Sequence, residues 1–173
     1  IKKILMFFLY RTLINSLLIL SPIIILIRLF KKKEDLKRIK EKFGFFNKRA
    51  KGKLIWFHGA SVGEFQSIVP ILEKYEKSKK INHILITSNT LSSSRIISKT
   101  KLKKVTHQYF PIDNNFIVKK FINHWKPSMA LFIDSEIWPN MISNLNKEKI
   151  PMLLINARLT KKSFKRWSKF KNF

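Results

Sequence analysis

Five short apolar runs, separated by segments of helical periodicity, restrict this chain more than any other feature. Leu54 to Phe57, His83 to Thr87, Thr106 to Phe110, Met129 to Ile133 and Met152 to Ile155 each read as a strand. Between them, Phe65, Ile68, Val69, Leu72 and Tyr75 recur at helical spacing, as do Phe116, Val118, Phe121, Ile122 and Trp125. Shorter helices are predicted over Leu91 to Lys99 and Trp138 to Asn146. Strands that are apolar throughout, rather than alternating, predict a parallel sheet covered on both faces. The expected fold is therefore an α/β, Rossmann-like half. Its right-handed crossovers bring every strand's C-terminal loop to one edge.

Five polar loops meet at that edge: Gly59 to Glu64, Ser88 to Ser94, Asp113, Asp134-Ser135-Glu136 and Asn156-Ala157-Arg158. Ligands of open α/β sheets bind there. In the stretch Trp56-Phe57-His58-Gly59-Ala60-Ser61-Val62-Gly63-Glu64-Phe65, a buried strand stops at small residues, and Glu64 falls in the first turn of the next helix. Such a carboxylate complements the helix dipole even without a catalytic duty, an effect of roughly 0.3 to 1 kcal/mol. Thr90, Asp113 and Ser135 are N-cap types that need no further role. Two glutamates, an arginine after a strand and a neighbouring serine, all converging on one rim, go beyond capping. No Gly-rich dinucleotide fingerprint or P-loop is present, which argues against NAD and ATP. His58, His83, His107 and His124 lack metal-ligand spacing, so no metal is expected, and His83 and His124 read as surface or core-edge residues.

The N-terminus reads differently. Thr12 to Ile27 carries no charge over 16 residues, about 24 Å of helix and short of the roughly 30 Å hydrocarbon core. Counting from Ile4 to Phe30, with Arg11 and Arg28 snorkelling toward the two interfaces, gives 27 residues and sufficient length. A tilted span and a shallow helix kinked at Pro22 both satisfy this pattern. No small-residue cleavage site follows, so a signal peptide is the poorer reading. Lys31-Lys32-Lys33 place the following domain in the cytoplasm. Residues 1–30 are thus a membrane-anchor helix, 31–53 a basic juxtamembrane linker and 54–173 the α/β domain.

Charge agrees with an anionic partner. There are 36 basic against 10 acidic residues in 173, a formal +26, and no cysteine to form disulfides. In the linker, Phe43, Phe45 and Phe46 are interleaved with lysines and arginines, a membrane-surface pattern in which each basic residue contributes about 1 kcal/mol near anionic lipid. Part of the charge is a general lysine bias of the sequence.

Four motifs, in order, carry a family resemblance: Trp56-Phe57-His58-Gly59-Ala60-Ser61-Val62-Gly63-Glu64, Tyr109-Phe110-Pro111-Ile112-Asp113, Asp134-Ser135-Glu136-Ile137-Trp138-Pro139-Asn140 and Asn156-Ala157-Arg158-Leu159-Thr160. Together they resemble the N-terminal half of the 3-deoxy-D-manno-octulosonic acid (Kdo) transferases of lipid A biosynthesis. The Trp-Pro-Asn element is the most specific. Asp134 stands where that family usually has Glu, Ser135 where it has Thr, Gly59 where it has Ala, and Ser92-Ser93 where a Thr-Gly loop is expected.

The resemblance implies a GT-B glycosyltransferase of glycosyltransferase family 30, with two Rossmann-like domains and a cleft between them. It implies that 54–173 binds the lipid A precursor acceptor, while the CMP-Kdo donor, the only cofactor-like molecule, is held by a C-terminal domain beyond this chain. The chain is accordingly expected to be a fragment, inactive alone, of an enzyme at the cytoplasmic face of the inner membrane. Carried over by motif, Glu64 is the general base of an inverting transfer. Ser61, Gly63, Glu136 and Arg158 are substrate-binding, with Arg158 suited to pair with Glu136 or with a substrate carboxylate or phosphate. A nucleic-acid-binding or scaffold module tethered to the membrane would use the charge but leave Glu64, Glu136 and Trp-Pro-Asn idle. No RNP-type, KH or zinc-finger signature is present, and no nucleic-acid partner is expected. A different GT-B transferase on a lipid-linked acceptor stays open.

Overall fold

All five apolar runs form strands of one parallel sheet: β1 (Leu54–His58), β2 (His83–Ser88), β3 (Val105–Tyr109), β4 (Met129–Ile133) and β5 (Met152–Ile155), in the order β3-β2-β1-β4-β5. The structure is a computed structural model that describes residues 2–100, 102–134 and 136–157, with Lys161, Lys165 and Ser168 beyond them. Ahead of the sheet runs α1 (Lys2–Phe30), and the crossovers are α2 (Val62–Lys77), α3 (Leu91–Ser98), α4 (Asn115–Trp125) and α5 (Pro139–Lys147). Each boundary falls within a few residues of the sequence expectation, because the apolar period fixes these elements locally.

Side chains alternate across the sheet and supply two cores. Leu54, Trp56, Leu85, Ala130 and Phe132 pack under Val118, Phe121 and Trp125 of α4 and Met141 and Leu145 of α5. Ile55, Phe57, Ile86, Leu131 and Ile133 pack under Phe65, Ile68 and Leu72 of α2 and Ile97 of α3. β1 is central and buried throughout, with Trp56 in register with Leu85 on one side and Ala130 on the other. The sheet winds outward from β1 through β2 to β3, then returns to the far side of β1 with β4. That return is the topological switch point at which ligands of such sheets bind.

Two expectations change. Among the described residues nothing fully covers β5, an edge strand there, where Leu153 and Leu154 are each half exposed. Phe116 was placed on the apolar face of α4 but is 75% exposed, and Ile117 is buried in its stead. Asn114 explains the shift, because its side chain caps α4 by accepting from the Phe116 and Ile117 N–H groups and so sets the helix's first turn.

The stretch 31–53 is packed onto the domain. Its 3₁₀ turn, Ile39–Phe43, buries Glu41, whose carboxylate accepts from Arg38 at 2.6 and 2.9 Å and from the Tyr109 N–H at 2.8 Å. Phe46 packs against the α4-side core, edge-on to Phe121 at 5.4 Å. Phe45 stays exposed, with the Lys120 ammonium 5.1 Å from its ring centre.

Candidate active site

The loops that leave β1 and β4 flank the switch point, and each carries one of the two glutamates singled out in the sequence. After His58 the chain turns through Gly59, Ala60 and Ser61 into α2, with Ser61 as N-cap and Glu64 in the first turn. The Ser61 hydroxyl accepts from the Glu64 N–H at 3.3 Å and donates to Glu64 Oε1 at 2.7 Å. Glu64 Oε2 accepts from the Ala60 N–H at 2.8 Å. The pattern is a variant of the capping box: Ser61 satisfies the Glu64 N–H as N-cap, while the Glu64 carboxylate reaches back to the Ser61 hydroxyl and to the N–H of Ala60, one residue before the cap. Glu64 is half-buried and Ser61 exposed, so the carboxylate faces the rim rather than the core.

Neighbours hold this loop from two sides. A Cβ on Gly59 would sit 3.1 Å from Ile133 Cδ1 and 3.3 Å from Glu64 Oε2, so the missing side chain lets β4 and the carboxylate close on the loop. The Ala60 carbonyl accepts from the Ser93 hydroxyl at 3.4 Å, and Thr90, the N-cap of α3, bonds Ser93 at 2.7 Å. Ser93, a departure from the expected Thr-Gly loop, thus ties the second loop to the first. Gly63 was assigned to the loop but lies inside the first turn of α2. Among the described residues, and apart from its chain neighbours and its own helix backbone, nothing comes within 4 Å of where its Cβ would be, which leaves open space on the first turn that carries Glu64.

Glu136 is organised by a residue that carries no role in the sequence analysis. His58, fully buried at the end of β1, stacks on Phe110 at 3.8 Å between ring centres and donates from Nε2 to Glu136 Oε2 at 3.3 Å. Its Nδ1 lies 3.0 Å from the Thr87 hydroxyl, which also accepts from Trp56 Nε1 at 2.9 Å. Trp138 Nε1 donates to the same Glu136 oxygen at 2.8 Å. These donors, His58 foremost, hold the Glu136 carboxyl below its ordinary range despite partial burial. A histidine closing an apolar strand is the only local trace of this arrangement, since its partner lies 78 residues away.

Asp113 has a different duty from the one expected. It does not cap α4; it reaches across to α5, whose N-cap, Trp138, makes no side-chain cap bond. Its Oδ2 accepts from the Asn140 N–H at 2.9 Å and its Oδ1 from the Met141 N–H at 2.8 Å. In return Asn140 Nδ2 donates to the Asp113 carbonyl at 2.6 Å. The Ile112-Asp113 and Trp-Pro-Asn motifs are therefore one joint. Burial raises the Asp113 pKa, against the lowering effect of its hydrogen-bond donors. Asp134 takes a left-handed φ of 62° at the end of β4, turning the chain toward Glu136.

Of the site residues named from sequence, Ser61, Gly63, Glu64 and Glu136 come to the β1 and β4 ends. Arg158 and the capping candidate Ser135 lie outside the described residues. Among the described residues, no group of three or more His, Cys, Asp or Glu side chains converges as metal ligands would.

Residues 37–173 match the sequence model of the 3-deoxy-D-manno-octulosonic-acid transferases (kdotransferases). A 3-deoxy-D-manno-octulosonic acid transferase of Rickettsia bellii is 44% identical over 153 residues, 87% of this chain and 36% of the relative. The probable mitochondrial enzyme of that name in Arabidopsis thaliana is 38% identical over 136 residues, 78% of this chain and 30% of the relative. That of Haemophilus influenzae is 32% identical over 136 residues, 78% of this chain and 32% of the relative. The chain thus spans about a third of the length of these relatives. With this match over residues 37–173, these relatives and its parallel five-stranded sheet, the chain belongs to the Kdo transferase family of glycosyltransferases, as an example of that family's N-terminal domain.

Proposed function

We propose that this chain is the acceptor-binding half of a GT-B enzyme that transfers Kdo from CMP-Kdo to a lipid A precursor, with inversion, at the cytoplasmic face of the inner membrane. The observation that carries the reading is the Glu64 carboxylate, which stands on the open rim at the switch point, beside the free space at Gly63. Its two bonds, from Ser61 and Ala60, use only part of its lone pairs and leave acceptor capacity for a substrate hydroxyl.

In the proposed step, an acceptor hydroxyl oxygen attacks the anomeric carbon of Kdo from the face opposite CMP. The bond from that carbon to the phosphate oxygen breaks, and CMP leaves with the electron pair. Glu64 takes the hydroxyl proton. A positioned base of this kind contributes typically about 100- to 10,000-fold. Ser61 and Gly63 shape the approach to Glu64. Glu136, fixed by His58 and Trp138 and kept ionised, is an acceptor for substrate hydroxyls or a partner for Arg158. CMP-Kdo binds chiefly to the domain that the longer relatives carry beyond the matched region.

The test is Kdo transfer from CMP-Kdo to a tetraacylated lipid A precursor by the complete gene product in membranes. Kdo-bearing lipid supports the reading. A folded, complete protein that makes none, yet transfers another nucleotide-activated sugar to lipid, would replace the donor and keep the site.

A further inference from the structure

The apolar helix α1 is long enough to cross a bilayer, yet the domain holds it at both ends. Near its start, Tyr10 donates to Asp113 Oδ2 at 2.6 Å. Arg11 donates from Nε to Asn140 Oδ1 at 3.0 Å and from a terminal nitrogen to Asn115 Oδ1 at 3.1 Å. Asn114 Nδ2 donates to Asn15 Oδ1 at 2.8 Å. Near its end, Arg28 pairs with Glu34, which Lys42 also contacts at 2.7 Å, and the Lys42 carbonyl accepts from the Ile112 N–H at 2.9 Å. Between the two ends, a stripe running from Phe7 through Arg11, Ile14, Leu18 and Ile25 to Arg28 is partly buried. With Ser21, also partly buried, between Leu18 and Ile25, its members recur at three- and four-residue spacing, the signature of one helix face.

This geometry conflicts with a span. If Lys31 marks the cytoplasmic surface, Arg11 lies 20 residues earlier, about 30 Å along the helix, which is the full thickness of the hydrocarbon core. Arg11 would then sit on the far side of the membrane from Asn140, Asn115 and Asp113, its own partners. Snorkelling of Arg11 to a second interface, the sequence expectation, gives way to docking on the N-termini of α4 and α5. A helix that is apolar all round normally buries every face. Here Tyr10, Arg11 and Asn15 bond to the domain and one stripe is partly buried, while other residues, including Ile19 at 80% and Phe30 at 87% exposure, face outward.

We propose that α1 is an in-plane membrane-binding element: clamped lengthwise on the domain by the Tyr10, Arg11 and Arg28 contacts, it lays its outward apolar face into one leaflet of an anionic bilayer. The domain replaces the polar face that free interfacial helices present to water. Lys31, Lys32 and Lys33 at its end, and the excess of 26 positive charges, suit anionic headgroups. Tyr10, Arg11 and Asn15 bind the loop and helix starts at the C-terminal edge of the sheet. The clamp therefore sets the catalytic rim at the lipid surface instead of leaving it on a tether.

This stretch of 173 residues has no cysteine, so a label cysteine placed in α1 is unique within it, and any cysteine of the complete protein outside it is replaced first. The experiment places nitroxides one at a time at Leu9, Leu13, Leu20 and Ile27, on the outward stripe of the complete protein, in phosphatidylcholine–phosphatidylglycerol vesicles. Power saturation then reads their depth. The proposal predicts four similar, shallow depths of roughly 5 to 10 Å. Depths that reach about 15 Å, the bilayer centre, at Leu20, fall to a few ångström at Leu13 and Ile27, and leave Leu9 beyond the far interface would establish a span and overturn it. Four labels in water would overturn it also, by showing that lipid does not cover this face. As an independent reading, Lys3→Cys and Lys33→Cys should react with a membrane-impermeant maleimide from the same side of the vesicle. Reaction from opposite sides contradicts the clamp. Neither readout depends on Kdo transfer, so failure of the proposed reaction and failure of this topology are separable.

Discussion

Glu64 and Asp113 each bring a carboxylate to a helix N-terminus on the same rim, yet one is open and the other enclosed. Asp113, 2% exposed, serves a helix that is not its own, binding two N–H groups of α5 and the Tyr10 hydroxyl. Glu64 serves its own helix through Ser61 and Ala60 and keeps an outward side. Residue type and position along a strand–helix loop do not separate the two. What separates them is how many oxygen lone pairs the fold consumes and which way the rest point. An enclosed carboxylate is architecture, whereas an open one beside free space is available for chemistry.

Removing the enclosed carboxylate should give the largest loss of stability. Asp113→Ala leaves the Asn140 and Met141 N–H groups and the Tyr10 hydroxyl without their acceptor, at a cost of about 3 kcal/mol. Thermal unfolding would show a drop of about 6 to 12 °C for a chain of this size. A shift of a degree or less would mean that the joint between the two motifs is not what holds α5.

His107, part-buried in β3, sharpens the contrast between site and scaffold through pH. His107 accepts from Arg38 at 3.0 Å and lies 2.9 Å from the Ser88 hydroxyl; burial, with the Arg38 charge, pushes its pKa down from 6.5 to about 3. The unfolded chain therefore takes up a proton that the folded chain refuses. Stability is full above pH 6.5, falls as the pH drops below it and stops falling near 3. Denaturant titrations between pH 7 and 4 should show this decline, and His107→Gln should flatten it. An unchanged slope in the variant would assign the decline to other groups.

The smallest effect belongs to the open loop. Ser61→Ala removes the N-cap of α2 and should cost about 1 kcal/mol. Since Ser61 also donates to Glu64, the variant should lose some transfer activity as well, by less than removal of the base. A larger stability loss than that of Asp113→Ala would reverse the ranking of the two sites.

Much of this was legible in the sequence, and the parts that were not share a cause. Strands, helices and the placement of Glu64 follow from local period and capping types, so β1, α2 and the Ser61–Glu64 pair could be read within a dozen residues. His58 could not be assigned, because its partner Glu136 arrives only when β4 returns beside β1. Asp113 looked like a cap for the adjacent α4, but Asn114 fills that place, and the uncapped Trp138 end of α5 recruits Asp113 across the fold. Phe116 and the lengthwise docking of α1 were hidden for the same reason: composition says that a face is apolar, and only the assembled neighbours say what covers it.

The central claim is that Glu64 acts as a base while the fold does not depend on its charge. Its most direct test is the transfer rate of Glu64→Gln in the complete protein at saturating CMP-Kdo and acceptor, with the melting temperature taken on the same sample. Gln keeps the size of the side chain and one oxygen acceptor for the loop but loses basicity. The account predicts a rate about 100-fold or more below wild type, with a melting temperature within a few degrees. Transfer within a few-fold of wild type by the folded variant would contradict it and move the base elsewhere on the rim.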